Sequence, residues 1–246
     1  MITEFLTFIG GAATVGAFKG PVQTLQDYWY ITFGHSASEK VEQLRIKHAV
    51  NSELLKKQLL TEVSKIEEPN IQEPPLQVLG PTLESSKYYI EEEEMRNMFA
   101  KLLASSMDKS KNDIIHNSFV EIIKQLSPLD AQLIKHLSFG ERVMFPLSRI
   151  IKNLPDNGGH REIFPTFFFT DKYDNIDKNA ASLSNLERLG LIRMSFETVL
   201  SDDLRYSPME NSDIAKAILS DNADFQFERG LIKITPYAQN FIAACL

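Results

Sequence analysis

The chain has 246 residues, 43% of them hydrophobic and 24% charged, which supports one large core or two modest ones and excludes a disordered, fibrous or disulfide-stapled protein. Its only cysteine, Cys245, rules out an internal disulfide and a cysteine metal site, and such usage suits a reducing cytoplasm. The formal charge of −7, from 26 Lys and Arg against 33 Asp and Glu, disfavours a phosphate-tracking surface unless basic residues are segregated in space; along the sequence they are spread evenly over the two halves.

The first element is an apolar, charge-free stretch from Phe5 to Phe18, FLTFIGGAATVGAF. It is shorter than the roughly 20 residues a spanning helix needs. Glu4 stands where a secretory signal carries Lys or Arg, so a cleaved signal is not expected either. Gly10, Gly11, Ala12, Ala13 and Gly16 suit close helix packing, the favoured reading, or shallow membrane contact. In the second case Phe5, Phe8, Phe18 and Trp29 are the candidate membrane contacts; Trp29 lies between Tyr28 and Tyr30, residue types that favour a bilayer interface.

From about Ser38 to Glu67, Val41, Leu44, His48, Leu55, Leu59, Val63 and Ile66 follow the three-four spacing of one helix face, which predicts a single long helix with His48 packed rather than ligating. Pro69 to Pro75, PNIQEPP, cannot continue it and reads as an extended connection. A second helical region follows from Leu76 to Met107, with Met95, Met98, Phe99, Leu102 and Leu103 on one face. The run Glu91 to Glu94 lies at the N-terminal side of that face, where acids complement the helix dipole. Consecutive helical residues fan out around the axis, so these glutamates read as solvated rather than as a metal site. After a polar loop, Asp108 to Asn117, a capping-box pattern at Ser118 opens a helix. Ser127-Pro128-Leu129-Asp130 then opens another with proline at the first helical position.

The last hundred or so residues change character. Pro146, Pro155, Gly158, Gly159 and Pro165 break the helical pattern, and Phe167 to Phe169 form an aromatic strand candidate. A helix near Asp177 to Leu189, closed by Gly190, leads into the strand candidate LIRMSF. An insertion from about Thr198 to Asp224 carries a small helix candidate around Ile214 to Leu219, after which come the strand candidate GLIKI and a final helix to about Ala244. Helix, turn, strand, loop and strand make the second half of a winged helix-turn-helix. In it Asn185, Arg188 and Arg193 are the candidate contacts to a nucleic acid or a protein partner. Asp171, Asp174, Asp177 and Glu187 surround only Lys172, Lys178 and Arg188, so phosphates are repelled there and a protein contact is favoured.

A search for chemistry finds no centre. The five histidines, His35, His48, His116, His136 and His160, show no HxxxH or HExxH spacing, so no metal is expected. Gly11 to Gly16 mimics the front of a phosphate loop, but Ala17 replaces the lysine and no hydroxyl follows to hold magnesium. No nucleophile elbow is present. Nor does an arginine precede a histidine by the four to six residues seen in many helical defence ribonucleases; His160 follows Arg149 by too much.

Residues 76 to 137 resemble the central signature of the Abi-alpha family of phage abortive-infection proteins. The resemblance is carried by Leu79-Gly80-Pro81-Thr82-Leu83-Glu84, by Ala100-Lys101-Leu102-Leu103-Ala104, by Asp108, by His116 through Phe119 and by Leu126-Ser127-Pro128-Leu129-Asp130-Ala131. Ser184 to Ile192 and Ile234 to Cys245 are similar to the closing region of the family, and Lys19 to Gln26 give a weaker echo. Asn117 stands where the family usually has proline and Ala238 where glycine is common; both touch turn chemistry rather than an active residue. The resemblance implies a bacterial or prophage protein of abortive infection and carries over no catalytic residue.

The expected architecture is mainly α, with an N-terminal helical region followed by a winged-helix-like α+β C-terminal domain. Its parts are an apolar segment and long helix at 1–68, a Pro-rich linker at 69–75, a helical signature region at 76–126 and the winged-helix-like domain at 127–246. The expected function is phage defence through contacts with a protein partner or in a homo-oligomer, with peripheral membrane association as a further component. No enzyme activity, cofactor or metal is expected, and the location is cytoplasmic or peripheral at the inner membrane. The alternative is a winged-helix DNA-binding transcriptional regulator.

Overall fold

The computed structural model describes residues 19–33, 42–89, 91–140, 142–154, 158–167, 176–220 and 222–246. Phe5, Phe8 and Phe18, the strand candidates Phe168 and Phe169, and Asp171, Lys172 and Asp174 lie outside them, as do the side chains of His48, Asp177 and Lys178. The chain divides into two compact units, Met1–Pro128 with Asn240–Leu246, and Leu129–Gln239. It is mostly helical, as expected, with one antiparallel sheet in the second unit.

The first unit is built from α1 (Lys19–Phe33), α2 (Glu42–Val63), α3 (Leu76–Tyr89), α4 (Glu93–Ser106), α5 (Phe119–Gln125) and the end of a closing helix. The long apolar stripe does form one helix, α2, which buries Leu55, Leu59 and Val63 and packs against α4. On α4 the expected face, Met95, Met98, Phe99, Leu102 and Leu103, is buried throughout. Each of these side chains contributes about 1.5–3 kcal/mol on leaving water. Glu91, Glu92 and Glu93 are exposed at the N-terminal end of that helix, where their charge complements its dipole.

The Pro-rich stretch is anchored: Ile71 is buried and bridges to Asp108, and the Gln72 amide donates to the Met107 carbonyl at 2.9 Å. Ile71 has apolar area to bury and its backbone neighbour has a partner. One local expectation changes in the structure. Ser118 does not cap α5 through its side chain, because its own backbone is already helical (φ −71°, ψ −9°). Its hydroxyl lies 2.6 Å from His116 Nδ1, which also accepts the Ser118 amide at 3.2 Å.

The second unit holds α6 (Pro128–Leu137), which opens on its proline, followed by β1 (Met144–Asn153) and β2 (His160–Phe167). Then come α7 (Ile176–Arg188), β3 (Ile192–Ser195) and the insertion with α8 (Ser207–Glu210) and α9 (Asp213–Ser220). β4 (Phe225–Ile234) and α10 (Pro236–Cys245) complete the chain. The strands lie in the order β2-β1-β4-β3, all antiparallel. β1 has no counterpart among the expected strands, because Pro146 masks it. Among the described residues Pro146 pairs with Leu231 of β4, and the register of β1 with β2 is described from Ser148 onward. Pro165 sits at the irregularity where β2 spans Phe164 to Phe167 against Ile150 to Ser148, a bulge on an edge strand.

Gly190 ends α7 at φ +74°, with the Leu191 amide returning to the Leu186 carbonyl at 2.9 Å. The insertion has its own core on the sheet: Ile150, Tyr206, Met209 and Ala215 are buried together, with Phe164, Phe225 and Phe227 packed around them. The Tyr206 hydroxyl donates to the Gly230 carbonyl at 2.8 Å and accepts from the Leu200 amide at 2.9 Å. A Cβ on Gly230 would lie 2.4 Å from the Ser195 carbonyl oxygen, so only glycine lets β3 and β4 meet there.

Candidate functional site

α7 turns Leu183 and Leu186 into the core and leaves Asn185 and Arg188 at its rim. Asn185 Nδ2 donates to Oδ2 of Asp130 at 2.8 Å, and Asp130, in the first turn of α6, is buried. The amide oxygen of Asn185 accepts from Arg188 Nε at 3.1 Å and Nη2 at 2.7 Å. The Asn185 amide group is thereby engaged at both ends, and the nearby Glu187 carboxylate accepts the Met194 amide of β3 at 2.7 Å. That carboxylate blocks part of an open strand edge. The third candidate, Arg193, is exposed on β3 directly opposite Lys233 rather than bonded to the other two. Trp29 is half-buried in α1 and belongs to the helical unit.

Sequence spacing missed a meeting across three strands. Arg149 of β1 and His160 of β2 come within 2.9 Å, Nη2 to Nε2. Arg149 Nε also donates to Glu228 of β4, its Nη1 lies 3.7 Å from Glu162, and its guanidinium stacks 4.1 Å above the Phe196 ring. Histidine, arginine and carboxylate are the groups of acid–base phosphoryl chemistry. Here the guanidinium is committed to carboxylates and a ring, so a phosphate would have to displace Glu228. The arrangement acts as a clasp over β2, β1 and β4. Only the strand register brings the pair together, and no window of sequence carries that information.

Arg229 makes a second clasp. It donates to Glu210 at 2.6 Å and Asp203 at 2.7 Å and lies over Tyr206 at 4.9 Å. The Glu210 bond is the main cause that holds its guanidinium above the usual arginine range, against a smaller opposing effect of burial.

In the helical unit a polar cleft of about 240 Å³ is lined by Lys65, Lys101, Lys111, Glu62 and Asp108 beside Ala243 and Ala244. Lys111 is engaged there by the Ala243 carbonyl at 3.0 Å and Ser105 Oγ at 3.1 Å, and Ser105 in turn donates to the Ala244 carbonyl at 2.9 Å. These bonds satisfy carbonyls at the end of α10. Burial pushes the Cys245 thiol up from its ordinary range, with Lys111 and Lys101 pulling weakly the other way. A thiol so held is not a nucleophile.

Among the described residues no three His, Cys, Asp or Glu side chains are placed to hold a metal ion. Nor is any described helix long and apolar enough to cross a membrane. The model of one family, abortive infection alpha, matches residues 47–245. Neither a curated protein nor a solved structure matches. Within the matched span the signature residues Leu79, Leu83, Ala100, Leu102, Leu103, Phe119 and Asp130 are all buried.

Proposed function

The chain belongs to the abortive infection alpha family, and from that membership we propose that it is a phage-defence protein acting through contacts with a partner protein or a second copy, with peripheral membrane association as a further component. The family match over residues 47–245 is the observation that carries this reading. The burial of the apolar signature residues and of Asp130 supports a structural part for those positions, since they form a core and a carboxylate–amide link. Cells with and without the intact gene, infected at low and high phage-to-cell ratios, test it. Survival of the culture at low ratio with collapse at high ratio is expected; unchanged growth at both ratios across a broad phage panel removes it.

A DNA-reading winged helix is the second reading. What favours it is that α7 leads into the antiparallel pair β3 and β4, the order of helix and strands expected from the sequence for a wing. The engagement of Asn185 with Asp130 and Arg188 weighs against it. A gel shift at low salt, where phosphate contacts are strongest, decides: no retardation ends this reading.

A further inference from the structure

We propose that the end of the sheet around Met144 is a docking surface for an anionic bilayer. The inference rests on the membrane component of the reading above and gives that component a place distinct from the apolar N-terminal stretch.

The surface is built by register. Arg193 of β3 stands opposite Lys233 of β4, and Lys233 stands opposite Met144 of β1, so the three side chains share one face. Like charges directly opposite each other destabilise a sheet. Among the described residues no carboxylate pairs with Arg193, Lys233 or the neighbouring exposed Arg142. Some described cations elsewhere, among them Lys65, Lys87, Lys124, Arg149, Lys152 and Arg229, do pair with acids.

A fourth cation arrives from the insertion. Arg205 Nη2 donates to the Met144 carbonyl at 2.8 Å, and this bond brings the turn Asp203–Arg205 to the same corner. Leu204 on that turn is 79% exposed, Met144 42% and Val143 37%. The turn is held in place by its neighbour Tyr206, whose ring is fully buried and whose hydroxyl is bonded on both sides, so the exposure of Leu204 belongs to a fixed conformation. Of the two acids beside Leu204, Asp203 pairs with Arg229, and Asp202 accepts the Leu204 amide at 3.1 Å while keeping its charge.

Aliphatic side chains ringed by unpaired cations, on a chain of net charge −7, complement one environment in both respects. Leu204, Met144 and Val143 gain by entering the boundary between headgroups and acyl chains, and the four cations gain beside anionic headgroups. A nucleic acid would use the cations alone, because base stacking needs aromatic surface where this corner offers aliphatic groups.

Cosedimentation of the purified full chain with vesicles tests the surface. Equimolar phosphatidylglycerol and phosphatidylcholine should bind the chain, pure phosphatidylcholine should not, and high salt should release it. Arg193→Gln together with Lys233→Gln should weaken partitioning about thirtyfold, and Leu204→Ser about tenfold, with thermal stability not lowered, because all three side chains are exposed and the double substitution removes a like-charge pair. Absence of binding to either vesicle overturns the proposal. So does binding that both variants leave intact, which would place contact on another segment, or a wild-type chain that binds duplex DNA but not vesicles. Vesicle binding is read in vitro and phage protection in infected cells, so a failure of docking is distinguishable from a failure of the defence reading.

Discussion

In the helical unit the described ion pairs join residues three apart, within a helix or across its end: Lys56 with Glu53, Lys65 with Glu62, Lys87 with Glu84 and Lys124 with Glu121. In the sheet unit they join segments far apart in the chain, Arg149 with Glu228 and Glu162, Lys152 with Asp224, and Arg229 with Asp203 and Glu210. The first kind decorates helices that an apolar stripe already specifies and contributes little in water. The second kind ties the insertion and the edge strand to the centre of the sheet, where the arginines are partly buried, Arg149 against Phe196 and Arg229 against Tyr206. The contrast teaches that no described ion pair links distant segments of the helical unit, whereas the sheet unit adds charged clasps between distant segments to its core.

The strongest way to test this is at the helical core. Phe99→Ala empties a fully buried site and should lower stability by about 3–5 kcal/mol. Urea unfolding followed by the fluorescence of Trp29, the only tryptophan, measures it within that unit. Next, Gly230→Ala forces a methyl group against the Ser195 carbonyl and the Phe196 ring. Since backbone cannot move aside cheaply, a loss of about 2–3 kcal/mol is expected, read by circular dichroism during denaturation.

The smallest effect sharpens the comparison most. Arg229→Gln should cost about 1 kcal/mol, because a bond to the partly buried Glu210 and a ring contact are lost while solvent screens the exposed Asp203. Lys124→Gln, at an exposed pair within one helix, should stay within about 0.5 kcal/mol. Equal costs for the two substitutions in parallel urea titrations would erase the distinction between decoration and clasp.

Much of the helical unit was legible residue by residue. Leu55, Leu59 and Val63, then Met95, Met98, Phe99, Leu102 and Leu103, lie where the 3.6-residue period puts them, and Pro128 and Gly190 open and close their helices as their backbone chemistry requires. The small helix of the insertion was legible for the same reason. β1 was not, since Pro146 reads as a breaker in any local window and only its pairing opposite Leu231 of β4 shows the strand running through it. The strap at Ile71 and the role of His116 beside Ser118 were hidden too, because each depends on a neighbour that folding supplies.

For the candidate site the divide is the same. Asn185, Arg188 and Arg193 were found by their place in a helix–strand pattern. Only the fold turned Asn185 toward Asp130, set Arg193 against Lys233 and brought Arg149 onto His160. The sequence by itself determined the helices, their buried faces, the closing glycine and the resemblance to the family, because these are written in windows of a few turns. Tertiary structure alone decided which charges meet and which are left unpaired at the corner around Met144. Strand register and the path of a long insertion place residues dozens of positions apart within hydrogen-bonding reach, and no local period records that distance.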